Sequence, residues 1–142
     1  MKTLFSTVPA LAAMLILGGN PASAAGKTCP ATTFPKFLTA FAADPALQRA
    51  HTRIPFTYET IDANAQPEPR TVRKMLDAKT VRFPIIPSPA EQKKKHMTAL
   101  NKAVPGGVEV TLRAGETDEQ LRFFFRQEGG CWTLLRKSDD SL

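Results

Sequence analysis

Two histidines, His51 and His96, are the side chains of this sequence best suited to proton transfer near neutral pH. Neither stands beside a carboxylate in the sequence, and their spacing is not that of metal ligands. The glycine pairs at 106–107 and 129–130 have the composition of turns rather than of phosphate loops, and no nucleophile-elbow motif is present. We therefore place both histidines at the surface or at helix ends, and we assign no catalytic residue, no metal ligand and no cofactor.

The two cysteines, Cys29 and Cys131, are the other residues with chemistry of their own. Neither has the Cys-x-x-Cys spacing or the histidine neighbour that is typical of zinc sites. In an oxidising compartment an isolated pair most often forms a disulfide, which here would tie the N-terminal segment to a C-terminal strand. Two unpaired thiols are the alternative.

The start of the chain indicates which compartment applies. Lys2 precedes the apolar run 8–17, and small residues follow at 22–24 in the pattern that signal peptidases read. The run has about 10 residues, against the roughly 20 that a transmembrane helix needs. We predict residues 1–24 as a cleaved signal peptide of bacterial type and residues 25–142 as one domain. The domain would lie in the periplasm, or be secreted, with no membrane anchor after cleavage; an uncleaved anchor is the alternative.

Hydrophobic spacing predicts two helices near the start of this domain. Apolar side chains with i, i+3, i+4, i+7 spacing form one face of the first helix, namely Phe34, Phe37, Leu38 and Phe41. Asp44 followed by Pro45 begins a second helix, which would bury Leu47 and end near His51.

Later segments predict strands and one further helix. Alternation from Ile54 predicts a strand, in which Pro55 indicates an edge or a strand start. Ser88 and Glu91 form a capping box that opens a helix to about Ala103. Further strands are predicted at 71–76, 80–86, 108–113, 121–126 and 131–136, before a polar tail of little order. The fold class is α+β, with N-terminal helices and a capped central helix packed on a curved antiparallel sheet that ends in a three-strand meander.

Three consecutive lysines, Lys93, Lys94 and Lys95, are the densest basic feature of a chain with a formal net charge of +6. On the predicted helix they spread across the solvent half, opposite Met97 and Leu100. A solvated face is the leading interpretation, and a site for phosphate or an acidic partner is the alternative. Nucleic-acid binding is not expected, because the aromatic residues fall at core positions.

The run of three phenylalanines at 123–125 places one ring on the opposite side of its strand from the other two. That ring, Phe124, lies between Arg122 and Arg126, and arginine with aromatic residues supplies much of the binding energy at protein interfaces. We therefore predict partner binding through Arg122, Phe124 and Arg126. The alternative is that the N-terminal segment or the crosslink at Cys29 covers Phe124.

Parts of the sequence resemble a known group of proteins. The run 37–48, the residues 53–55 and the ending 130–141 are similar to small secreted bacterial proteins of unknown function, which look like the nuclear-transport-factor-like (cystatin-like roll) superfamily. The resemblance implies helices that fill the concave face of a bent sheet. It implies no activity, since that fold hosts enzymes, binding proteins and immunity proteins, and it transfers no catalytic residue.

Binding without catalysis is the leading functional hypothesis. We predict a periplasmic binding protein, specifically an immunity or inhibitor protein that neutralises a secreted antibacterial effector; its partner would be that effector or an envelope protein. The alternative is a small enzyme or ligand carrier with a pocket containing Tyr58, His51 or Asp62. A third hypothesis is weak binding of anionic envelope polymers through the lysines. A cavity of several hundred Å³ with convergent polar groups would favour the pocket, and a filled core with Phe124 bare would favour the interface.

Overall fold

The computed structural model of the chain describes residues 28–142, so the predicted signal peptide lies outside the described residues. Three short helices pack on one face of a curved, open, six-stranded sheet, which confirms the α+β class. The strands lie in the order β2-β1-β6-β5-β4-β3. The sheet was predicted to be antiparallel, but it is mixed: β1 and β6 run parallel, while all other neighbours are antiparallel. A parallel pair is possible here because a long stretch of chain, not a tight turn, joins β1 to β6. The elements are α1 (Phe34–Ala43), α2 (Pro45–Ala50), β1 (Thr52–Asp62), β2 (Arg70–Leu76), α3 (Pro89–Lys94), β3 (Thr98–Val104), β4 (Gly107–Arg113), β5 (Gln120–Glu128) and β6 (Cys131–Asp139).

The predicted apolar face of α1 forms the centre of the core. The ring centroids of Phe34 and Phe41 each lie 5.4 Å from that of Phe125 on β5, and Phe37 lies 6.1 Å from it. All of these contacts are edge-to-face, the geometry that aromatic pairs prefer. The Phe125 side of the sheet is therefore the concave, helix-bearing face.

Helix α2 begins as predicted, but the residue that it buries is not Leu47. The Asp44 carboxylate accepts a hydrogen bond from the backbone N–H of Ala46 at 2.7 Å, as an N-cap does. Gln48 is fully buried, whereas Leu47 is half-exposed. An amide is buried here because the neighbouring chain has no sheet partner and its backbone groups need one.

The chain between β2 and α3, which we call the covering loop (residues 77–88), is not the strand predicted at 80–86. Pro84 and Pro87 have no N–H to donate to a sheet ladder. The side chain of Gln48 takes the place of a neighbouring strand: it donates to the carbonyl of Ile86 at 3.1 Å and accepts from the N–H groups of Ile85 and Ile86 at 2.7 and 3.1 Å.

The capping box of Ser88 and Glu91 is present, but its helix ends at Lys94 rather than near Ala103. His96 has a positive φ of 50°, which turns the chain out of the helix. The residues that follow form the edge strand β3, in which Leu100 is 65% exposed. Because β3 has exposed residues on both faces, its sequence lacks the alternation that would have marked it as a strand.

Three further expectations have clear outcomes. The three-strand meander is confirmed as β4, β5 and β6. Pro55 is not in an edge strand: β1 lies between β2 and β6, and Pro55 falls where the β1–β6 register shifts, before the first β1–β2 pair at Phe56. The tail is also more ordered than predicted, because β6 extends to Asp139 and Ser138 is buried.

The predicted disulfide is present. Cys29 and Cys131 are bonded, with their Cα atoms 5.5 Å apart and a sequence separation of 102 residues. Cys131 is the first residue of β6, and Cys29 packs against the core beside it. The bond thus fastens the segment before α1 to the sheet.

Candidate functional site

A cavity of about 250 Å³ lies between the covering loop and the concave face of strands β1, β2 and β6. Its walls are mainly apolar, and four side chains with polar groups, from the loop and from two strands, also line it. The apolar residues are Phe56, Leu76, Val81, Pro84 and Ile85, and the polar ones are Tyr58, Thr80, Arg82 and Lys137.

Lys137 and Tyr58 reach this cavity side by side because the parallel register pairs them across β1 and β6. The Lys137 Nζ atom lies 5.7 Å from the ring centroid of Tyr58 and 6.0 Å from that of Phe123. Within residues 28–142 the ammonium group has no hydrogen bond and no ion pair closer than 4 Å. The nearest interactions that replace the lost hydration of the ammonium are therefore its contacts with the faces of these two aromatic rings.

Burial governs the protonation of both groups. It lowers the pKa of Lys137, and the negative charges of Asp139 and Glu119 oppose that shift in part. It also raises the pKa of Tyr58, to which the charge of Asp139 adds. A partly desolvated ammonium beside a neutral phenol attracts an anionic group, because such a group would restore the lost interactions of the charge.

Of the three residues proposed for a pocket, Tyr58 lines the cavity and the other two do not. His51 is buried at the end of α2, with its ring centroid 5.6 Å from that of Phe37 and its Nδ1 atom 3.8 Å from Cys131 Sγ. It is thus at a helix end, as expected, but not at the surface. Asp62 ends β1 and accepts a hydrogen bond from the N–H of Asn64. Lys137 and Arg82 were not anticipated, since nothing local in the sequence shows that the tail strand and the loop face one cavity.

The three lysines are exposed at the end of α3 and its C-cap. Lys95 forms an ion pair with Glu119 at 2.9 Å, and Lys93 and Lys94 remain free of ion pairs within the described residues. Leu100 does not lie opposite them on a helix, because it belongs to β3. The interpretation of these lysines as a basic patch stays a prediction.

Arg122, Phe124 and Arg126 project from the sheet face that is opposite to Phe125, which we call the open face. Phe124 is half-buried, but neither the N-terminal segment nor the crosslink covers it, since Cys29 packs on the core side. The guanidinium of Arg136 covers it instead, 5.4 Å from the ring centroid. Arg122 is engaged in ion pairs, with Asp140 and with Glu109 at 3.6 Å.

A buried carboxylate, Glu59, anchors a charge network on the open face that the sequence did not reveal. Glu59 is 7% exposed; it accepts hydrogen bonds from Ser138 Oγ at 2.7 Å and from Arg73 at 2.9 Å. Arg136 lies 3.6 Å from it and 3.8 Å from Glu109. Burial alone would raise the pKa of Glu59, but these hydrogen bonds and positive charges hold it below its usual value.

Replacing Glu59 by glutamine is expected to destabilise the protein at neutral pH by about 2 kcal/mol, because it removes charge-assisted hydrogen bonds. The lowered pKa makes the carboxylate's contribution full above about pH 4.5 and lost as the pH falls below that value. The free energy of unfolding, measured with urea from neutral to acidic pH, should therefore depend less on pH in the variant than in the wild type. Glu116→Gln, on an exposed turn, is the control. If the free energy of unfolding depended equally on pH in the wild type and in Glu59→Gln, the Glu59 carboxylate would not have the stabilising role assigned to it.

In the part of the chain that the structure describes, no group of histidine, cysteine, aspartate and glutamate side chains is arranged to hold a metal ion. No helix among these residues has the length and apolar character needed to cross a membrane.

Comparison with known proteins identifies the type of fold. No protein-family model matches the sequence, and no curated protein matches it. The structure is similar to the crystal structure of an NTF2-like protein from Bacteroides fragilis, with a TM-score of 0.55 and 19% sequence identity over 77% of this chain. The fold is NTF2-like. The NTF2-like fold that the resemblance implied is thereby confirmed, and the likeness concerns the fold alone. The similarity to small secreted bacterial proteins stays a prediction.

The NTF2-like neighbour is much the longer protein, since the match covers 47% of its chain. Within that fold, the cavity at Lys137 lies on the concave face, between the sheet and the covering loop.

Proposed function

We propose that this protein is a non-catalytic binding protein whose ligand occupies the concave cavity. The ligand class that fits is a small amphipathic acid, with an apolar body and a carboxylate head. The observation that carries the proposal is the Lys137 ammonium, which has no ion-pair partner within the described residues and lies in a mainly apolar cavity beside Tyr58.

The cavity supplies what such a ligand requires. The Lys137 ammonium and the Tyr58 hydroxyl would both donate hydrogen bonds to the carboxylate, and the walls at Phe56, Leu76 and Ile85 would contact the apolar body. A volume of about 250 Å³ favours a ligand about the size of one ring with a carboxylate. The described lining includes no histidine and no carboxylate, and we assign its Lys137 and Tyr58 to recognition of the ligand's head group.

Replacing Lys137 by methionine is expected to weaken binding of a small aromatic acid, such as phenylacetate, by about tenfold or more. Methionine keeps much of the apolar stem and removes the charge. Calorimetry or NMR titration of the oxidised protein measures the effect, and phenylacetamide serves as the uncharged ligand control. Lys79→Met, an exposed change on the covering loop, should leave affinity unchanged.

Two results would contradict the pocket assignment. One is equal affinity for phenylacetate and phenylacetamide, which would mean that no cation recognises the head group. The other is an equal loss in the Lys79 and Lys137 variants, which would mean that only overall charge matters. Tyr58→Phe supplies a second measurement, since it removes one hydroxyl while preserving the ring.

A second candidate function is the neutralisation of a secreted antibacterial effector in the periplasm, by contact through the open face. What favours it is a sheet face without helices among the described residues, on which Met75 is 57% exposed and Phe124 is half-buried under Arg136. Affinity capture from envelope and secreted proteins, with the oxidised domain as bait, tests it. A stoichiometric partner released by changes at Arg122, Phe124 or Arg126 would support it, and capture unaffected by those changes would contradict it.

A further inference from the structure

We propose that a groove on the open face, which we call the arginine groove (Arg53, Arg73 and Arg136), binds an acidic segment of a partner protein. This site is separate from the concave cavity. It deepens the second candidate function, on which it rests, by naming the residues and the chemistry of contact.

The arginine groove is a concavity of about 350 Å³ formed by β1, β2, β5 and β6. Three arginines surround it, and Met75, Phe124 and Leu135 add apolar surface. Met75 is 57% exposed, and Thr57 Oγ1 donates a hydrogen bond to its Sδ atom at 3.5 Å. The groove thus combines cationic and apolar contacts.

Arg136 is the central feature of the groove. Its guanidinium is held over Phe124 at 5.4 Å, and its nearest carboxylate oxygens, on Glu59 and Glu109, lie at 3.6 and 3.8 Å. Among residues 28–142, Arg136 donates no hydrogen bond. A guanidinium has five N–H donors in a rigid fork that matches a carboxylate. Stacking on Phe124 therefore orients the Arg136 guanidinium, and its N–H groups are available to donate hydrogen bonds to a ligand.

The positive charge of the open face favours an acidic occupant. Arg53 pairs with Glu128 and Arg73 pairs with Glu59. Arg136 shares Glu59 with Arg73 and shares Glu109 with Arg122, so no carboxylate among the described residues serves Arg136 alone. The same face also carries Arg113 and Arg126, which have no ion pair within residues 28–142. The side chains of Arg53 and Arg73 are 47% and 64% exposed, which leaves them open to a partner.

A protein segment fits this surface better than the other occupants do. A second copy docked through the same face would set arginines against arginines, which is unfavourable. A free inorganic anion would use one guanidinium and would make no apolar contact with Met75 or Leu135. A segment in which acidic and apolar side chains alternate would bind the arginines and would also contact both of these apolar residues.

The test uses the oxidised domain, residues 25–142, labelled with nitrogen-15. It is titrated with a short, unlabelled, acetylated peptide of alternating glutamate and leucine. We expect chemical-shift changes centred on residues 53, 73, 124 and 136. Arg136→Gln should lower the affinity for the peptide by about tenfold or more. Arg136→Lys should not restore this affinity, because lysine keeps the positive charge but lacks the planar, forked N–H donors of the guanidinium. Arg113→Gln, the same charge change on the open face outside the groove, should alter affinity by less than about twofold.

Several outcomes would overturn the proposal. These are equal losses in the Arg113 and Arg136 variants, shifts centred on the lysines at 93–95, saturation of the groove by inorganic phosphate that abolishes peptide binding, and dimerisation that competes with the peptide. Titrating the Arg136 variants with phenylacetate distinguishes an effect on the arginine groove from an effect on the concave cavity. Retained phenylacetate binding with lost peptide binding supports the groove, and a loss of both with a lowered melting temperature assigns Arg136 a structural role instead.

Discussion

Replacing Cys29 and Cys131 together by alanine is expected to lower the free energy of unfolding by about 2–5 kcal/mol. The crosslink joins residues 102 positions apart, so it restricts nearly all of the described chain in the unfolded state. Urea unfolding of the double variant measures the loss. The wild type unfolded with excess dithiothreitol is the matched control, because it has the same open chain without the substitutions.

The position of the bond adds a local effect to this loss. Cys29 and Ala31 pack against the core near Phe34, whose ring lies 4.8 Å from that of Trp132. Opening the disulfide should therefore increase hydrogen exchange first at the start of α1 and of β6. A double variant within about 1 kcal/mol of the wild type would show that core packing alone holds this segment.

Replacing Gln48 by alanine is expected to cost about 3 kcal/mol and to abolish ligand binding in the concave cavity. The substitution leaves three backbone groups of Ile85 and Ile86 without their hydrogen-bond partner in a buried site. Since those residues belong to the covering loop, the cavity wall should loosen with them. Thermal and urea unfolding measure the stability, and phenylacetate titration measures the site.

Gln127→Ala on the exposed end of β5 is the control, and it should change stability by less than about 0.5 kcal/mol. Gln48→Glu separates hydrogen bonding from volume, because a carboxylate fills the same space but has no N–H to donate to the Ile86 carbonyl. A Gln48→Ala protein that binds phenylacetate as tightly as the wild type would show that the covering loop does not shape the site.

Several elements followed from local sequence. The phenylalanine spacing in α1, the N-cap at Asp44, the capping box at Ser88 and the strands of the meander were all predicted and are present. These features depend on residues a few positions apart, where helix and strand geometry alone decides which side chains meet. The disulfide followed from the presence of two cysteines and from the predicted export signal.

The errors occur where tertiary contacts outweigh local pattern. The apolar residues of 80–86 indicated a strand, but Pro84, the following Pro87 and the Gln48 amide make this segment a loop that folds over the sheet. Leu47 was expected to be the buried residue of α2. Gln48 is buried instead, because its amide supplies the hydrogen bonds that the backbone groups of Ile85 and Ile86 need. Beyond Lys94, pairing with β4 draws residues 98–104 into an edge strand instead of a longer helix.

The sequence by itself therefore determined the helix starts, the core face of α1, the meander and the chemical pairing of Cys29 with Cys131. Only the tertiary structure decided which side chains form sites, because each site joins strands that are distant in the chain. The parallel pairing of β1 with β6 sets Lys137 beside Tyr58 on the concave face. The same pairing sets Arg136 near Glu59 on the open face, and no periodicity along the chain encodes such cross-strand meetings.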